Sequence, residues 1–158
     1  MFKFLFNLFF ISFLLNFTWE ISQMGFYSTL GMGDVSDYWN FVRIHWEVSL
    51  KDAFMVVLVY LVIGALLRNC LPMGDVPKRQ HWALSFNRGW IILLVVLPLW
   101  QAVVEYYSVY TYGRWGYAES MPLVFGIGLL PVLQMLILPS VAIFLSRHLL
   151  PAQTSVSL

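Results

Sequence analysis

Charge is scarce in this chain. Of 158 residues, 9 are lysine or arginine and 8 are aspartate or glutamate, 11% in all, for a net charge of +1; an ordinary soluble domain carries about 25%. So few basic residues make no patch able to hold a phosphate backbone, and no nucleic-acid partner is expected. Cysteine is nearly absent: the lone Cys70 excludes an intrachain disulfide and a C-x-x-C redox pair. His45, His81 and His148 lack metal-ligand spacing, and there is no phosphate-cradling glycine loop, G-x-S-x-G elbow or paired-aspartate protease pattern. No metal and no cofactor are therefore expected. Long polar stretches are lacking too, which leaves no room for a separate catalytic or nucleotide-binding domain.

What the chain has instead is apolar length. Sixty per cent of it is hydrophobic, 18% is aromatic, and the mean hydropathy is +0.76. Four stretches reach the roughly 20 residues that cross about 30 Å of hydrocarbon, which predicts an all-α, four-transmembrane-helix bundle occupying residues 1–150 as a single domain. The helices are expected at about 4–27, 48–68, 89–110 and 122–146, followed by a short disordered tail at 151–158. The first stretch opens like a signal peptide, but bulky residues stand where small-x-small would be cut, so it reads as a retained helix.

With the N-terminus inside, Lys3, Arg68, Lys78, Arg79, Arg88 and Arg147 fall in the cytoplasm and Arg43, Lys51 and Arg114 outside. That bias predicts both termini cytoplasmic, with a bacterial inner membrane as the expected location. Tyr27, Tyr38, Tyr106, Tyr107, Tyr110, Tyr112 and Tyr117, with Trp39, Trp46 and Trp115, then gather on the outer side as an interfacial belt. Between the first two crossings, Trp39, Val42 and Trp46 recur at helical spacing after Ser36 or Asp37, which fits either a short helix on the outer surface or a plain loop. The connection at 69–87, with Pro72, Gly74, Pro77 and the Lys78-Arg79 pair, reads as a polar turn facing anionic lipid.

The most informative pattern comes from counting from each inner basic anchor. Lys3 to Glu20 is 17 residues, Arg68 back to Asp52 is 16, and Arg88 to Glu105 is 17. At about 1.5 Å per residue, three helices each place a carboxylate some 25 Å from that end. Asn16 and Gln23 share a face with Glu20, Gln101 lies one turn before Glu105, and Gln134 on the fourth helix can point into the same region. Asp52 reads best as the acid opening the second helix, suited to a helix N-terminus. His45 and Glu47, before the second helix, could add a titrating group but read best as solvated loop residues. Glu20 and Glu105, followed by uncharged sequence, are either boundary markers or intramembrane acids, and the latter are functional by default. Prolines 131 and 139 would deprive the carbonyls of Ile127 and Met135 of helical donors, which fits a pocket wall, although prolines and glycines such as Gly126 and Gly128 are also common in packed membrane helices, which is the preferred reading. Arg114 could anchor the chain at the interface, neutralise an acid or hold an anionic headgroup.

The stretch Gly113-Arg-Trp-Gly-Tyr117, with Met121-Pro122, Gly128-Leu-Leu-Pro131 and Gln134, resembles a family of small bacterial four-helix membrane proteins without an established activity. The order Asn16, Glu20, Asp52, Glu105, Gln134 and Pro139 also loosely resembles the EXPERA-type fold of emopamil-binding sterol isomerases. That resemblance implies a lipid-facing pocket in which acids handle a sterol-like or isoprenoid ligand. Asn16 stands where those isomerases carry a histidine, and an amide replaces their fourth-helix Asn/Trp pair, which departs from a proton-shuttle isomerase.

Together these features predict a polar pocket with Glu20 and Glu105 as candidate catalytic acids and Asn16, Gln23, Asp52, Gln101, Arg114 and Gln134 as ligand-binding residues. The expected function is binding, with acid–base conversion as a further step, of an apolar membrane ligand. The alternatives are a proton- or cation-coupled small transporter and an assembly subunit. Expected partners are membrane lipids and that ligand, with a second copy or a membrane protein as further candidates.

Overall fold

In the computed structural model, residues 2–28, 38–67 and 88–149 are described; Ser36, Asp37, the 69–87 connection and the 151–158 tail lie outside them. Helix α1 (Phe2–Gln23) runs through a 3-10 turn (Met24–Phe26) into strand β1 (Tyr27–Ser28). Then come α2 (Tyr38–Leu67), α3 (Arg88–Tyr106) with a π-turn (Tyr107–Thr111), β2 (Gly116–Tyr117), the hairpin β3 (Leu123–Val124) and β4 (Ile127–Gly128), and α4 (Leu129–His148). All four helices are long and apolar enough to cross a membrane, and the chain is a small integral membrane protein of mostly helical, four-helix build. Around the bundle α1 packs on α2 and α4, α3 packs on α4 and α2, and the α2–α3 seam is the loosest of the four.

Each helix buries one face at the three-to-four spacing its sequence carries: 4, 8, 12, 16, 20 and 23 on α1, and 90, 93, 97, 101 and 105 on α3, continued by 108 in the π-turn. That face changes character along the bundle. At one end Leu8, Val56, Leu93, Leu97, Met135 and Ile143 form a dry core with Phe4, Tyr60 and Trp90. Towards the other end the same faces carry Asn16, Glu20 and Gln23, His45 and Ser49, Gln101, Glu105 and Ser108, and Gln134, all buried. Ser49 Oγ donates to the His45 carbonyl at 2.7 Å and Ser146 Oγ to that of Ala142 at 2.6 Å. Both hydroxyls are thus satisfied within their own helix while keeping the interface thin.

Two helix boundaries differ from expectation. The second helix begins at Tyr38, not near 48, and absorbs the proposed surface helix. No glycine or proline falls between Tyr38 and Ile63, so nothing terminates the helix, and Trp46 packs edge-on against Phe13 of α1 with centroids 4.6 Å apart. The fourth helix begins at Leu129, not 122. Residues 122–128 form a hairpin instead, in which Leu123 pairs with Gly128 and Val124 with Ile127. Its two turn residues, Phe125 (φ 51°) and Gly126 (φ 81°), are both left-handed, as a two-residue primed turn demands. Pro131 consequently sits in the first turn of α4, where a backbone N–H has no helical partner to lose, and Ile127 belongs to β4. The expected disruption at Ile127 does not arise; Pro139 does lie inside α4.

Candidate functional site

A cavity of about 860 Å³ lies between α1, α2 and α3 at the polar end of the bundle. Glu20, Asp52 and Glu105 all line it, with His45, Gln101, Tyr27 and Trp115. The remaining wall is largely apolar, and Phe54 and Leu58 of α2 with Trp100 of α3 are both lining and exposed. The opening is therefore sideways, along the α2–α3 seam, towards whatever surrounds the bundle.

The carboxyls fall into two groups with different partners. The first is organised by Gln134, fully buried on α4. Its Nε2 donates to Asn16 Oδ1 at 2.8 Å and to Asp52 Oδ2 at 3.3 Å, and its Oε1 accepts from Gln23 Nε2 at 3.2 Å. Gln23 Nε2 also donates to Glu20 Oε1 at 3.2 Å, Gln23 Oε1 accepts from Trp19 Nε1 at 3.0 Å, and Asn16 Nδ2 donates to the Ser12 carbonyl at 2.8 Å. One network thereby ties α1, α2 and α4 together. Glu20 Oε2 faces His45 Nδ1 at 3.8 Å.

The second group is Glu105 and a cap of aromatic donors. Tyr117 Oη donates to Glu105 Oε2 at 2.9 Å, Trp115 Nε1 to the same oxygen at 3.3 Å, and Tyr27 Oη to Oε1 at 3.4 Å. Strands β1 and β2 make the cap possible, because Tyr27 pairs with Tyr117 and Ser28 with Gly116; this brings the chain after α1 and the chain after α3 over one carboxyl. Burial first, then the negative field of Glu105 and Glu20, pushes the Tyr27 phenol far above its ordinary value. Burial also pushes Tyr117 up, partly offset by a backbone hydrogen bond at Gly128 and reinforced by Glu105. Both rings therefore stay protonated, as donors must.

Of the residues expected at the site, Asn16, Glu20, Gln23, Asp52 and Gln134 are joined by hydrogen bonds, and Glu105 and Gln101 share the cavity with Glu20 and Asp52. Asp52 is not a helix opener: it is the fifteenth residue of α2 and is linked to α4. His45 is not a solvated loop residue but is buried on α2 at 4% exposure, whereas Glu47 is exposed. Arg114 is exposed on the cavity wall, with its guanidinium carbon 5.1 Å from the Tyr112 ring centre. Among the described residues it pairs with no acid. Tyr27, Trp115 and Tyr117 were expected in the belt; they are half-buried and turned onto Glu105, while Tyr106, Tyr107, Tyr110 and Tyr112 are exposed. The signal for this difference lay in Gly116 and Gly128, where an added Cβ would meet Ser28 Oγ and the Tyr117 ring at 2.5 and 2.8 Å.

No known protein family, curated protein or solved structure matches the chain.

Proposed function

We propose that this membrane protein binds an apolar membrane ligand, of the isoprenoid, sterol-like or lipid class, through the lateral cavity between α2 and α3. The observation that carries the reading is one continuous space of about 860 Å³, apolar and exposed at its mouth and ending on Glu20, Asp52 and Glu105. A ligand can enter from the bilayer without crossing water, and its one polar end meets the acids. The opposite half of the bundle is filled by Leu8, Val56, Leu93 and Leu97, which favours a pocket reached from the side over a transport path through the molecule.

Acid–base conversion is the reaction class this geometry serves. A proton-exchanging group needs a partner within reach and a lone pair open to the ligand. Glu20 has both, with Gln23 holding one oxygen and His45 facing the other. Glu105 accepts three donors, and its part is to hold the cap over the cavity. We place the polar end outward, with both termini cytoplasmic.

Gentle purification followed by native and lipid mass spectrometry of wild type, Glu20→Gln and Glu105→Gln tests the reading. A discrete apolar molecule bound to wild type and lost from Glu20→Gln, with the fold intact, is the expected result. Bulk phospholipid alone in all three proteins would sink it.

A further inference from the structure

The cavity's polar atoms are not equally open to a ligand. Gln134, Gln23 and Asn16 spend their amide groups on one another, on Glu20 and Asp52 and on Trp19 and Ser12. Both Glu105 oxygens accept from the cap. Among the carboxylate oxygens of the lining residues, those that accept no hydrogen bond from a described residue are Asp52 Oδ1 and Glu20 Oε2, the latter 3.8 Å from His45 Nδ1. Open acceptors select a ligand that donates, such as a hydroxyl.

The same cavity wall carries two cations. Lys51 and Arg114 are both exposed and both line it, and among the described residues neither has a carboxylate within 4 Å. Lys51 precedes Asp52 directly, so an exposed cation and a less exposed acceptor are consecutive residues of the same cavity wall. Phe54 and Leu58 continue the wall from there, Leu58 about 9 Å along α2 from Asp52, with Trp100 opposite on α3. The volume of about 860 Å³ lies within the range of about 300–1,000 Å³ that holds one drug-sized molecule, which fits one chain rather than two.

We propose that the cavity takes a single-chain lipid bearing a phosphate with a free hydroxyl beside it, that is, a lysophospholipid. This rests on the reading of the cavity as a lateral lipid site and adds the chemistry of the head. The phosphate lies between Lys51 and Arg114, the hydroxyl donates to Asp52, and the chain follows the α2–α3 seam past Phe54, Leu58 and Trp100. A fatty alcohol or an amine leaves both cations unused, and a simple alkyl phosphate leaves Asp52 without a donor.

The test is a native mass-spectrometric titration of the full chain in a neutral detergent with four probes. These are oleoyl lysophosphatidic acid, monooleoylglycerol, oleyl phosphate and dioleoyl phosphatidic acid. Lysophosphatidic acid should bind once per chain and about tenfold more tightly than each of the others, the effect expected of one charge-assisted hydrogen bond. In the double variant Lys51→Gln/Arg114→Gln, whose substitutions are on exposed side chains, its advantage over monooleoylglycerol should vanish while monooleoylglycerol binds as before. In Asp52→Asn its advantage over oleyl phosphate should shrink. Equal binding of lysophosphatidic acid and monooleoylglycerol to wild type, or an unchanged preference in the double variant, overturns the phosphate assignment and leaves the lateral cavity standing. Equal binding of dioleoyl phosphatidic acid overturns the single-chain assignment. Saturable binding of none of the four overturns the lateral-site reading itself.

Discussion

Replacing Tyr117 by phenylalanine removes the shortest of three donors on Glu105 without changing the ring that fills the cap. A buried acceptor stripped of a partner costs about 1–3 kcal/mol, and thermal unfolding in detergent should show that loss for Tyr117→Phe. Tyr27→Phe, whose bond is 3.4 Å against 2.9 Å, should show less. Gln134→Leu is the harsher change, since Asn16, Gln23 and Asp52 each lose a partner at once; it should cost at least about 2 kcal/mol. The two tyrosines also set a pH dependence. Their folded-state values are raised above the roughly 10 of an unfolded tyrosine, so the folded chain holds these protons more tightly. Stability is then fully present below about pH 10 and declines as pH rises beyond it. Melting temperatures measured from neutral to alkaline pH should fall above that point, and less steeply for Tyr117→Phe; a flat profile would contradict the buried-phenol cap.

Among the elements, the two short β pairings position as much as the helices do. At Gly128 an added Cβ would lie 2.8 Å from the Tyr117 ring and 3.4 Å from Met121 Cε. Gly128→Ala should therefore push Tyr117 off Glu105 and destabilise the protein by about 1–3 kcal/mol. Gly25→Ala, with nothing within 4 Å of its added carbon, should stay within about 0.5 kcal/mol of wild type, and the two variants compared by thermal unfolding make the test. The same elements show what the sequence could convey. Apolar run length was enough for four crossings, and counts of 16 or 17 residues from basic anchors pointed to a shared depth for Glu20, Asp52 and Glu105, which line one cavity. The α2 start is not legible, because helical spacing across 39–46 says that a helix exists, not that it is continuous with the next. The β3–β4 hairpin was hidden because its turn places a phenylalanine at positive φ, where sequence reading looks for asparagine or glycine. The cap on Glu105 was illegible for a different reason: tyrosine and tryptophan near a helix end satisfy the rule for an interfacial belt whether they face lipid or fold inward, and only the β1–β2 register decides.

For the whole molecule, direction in the membrane decides which side the polar end faces. Cys70 lies in the connection between the second and third crossings, and the chain's single thiol is a ready reporter. With the N-terminus inside, a membrane-impermeant maleimide should label Cys70 only after the cells are permeabilised; labelling of intact cells would reverse the orientation and place the polar end in the cytoplasm. Helix α2, with 30 residues and a length of about 45 Å, exceeds the roughly 30 Å hydrocarbon layer. Its Tyr38 end therefore either tilts or stands clear of the hydrocarbon, and this is the end where the aromatic cap and the three carboxyls are gathered.

The sideways mouth between α2 and α3 also determines what concentration means for this protein. On the proposed lateral entry, a ligand reaches the seam from within the bilayer, so its encounter with the site is a search in two dimensions. Occupancy follows its mole fraction among the surrounding lipids. Doubling the amount of bilayer at fixed ligand halves the effective dose although no aqueous quantity has changed.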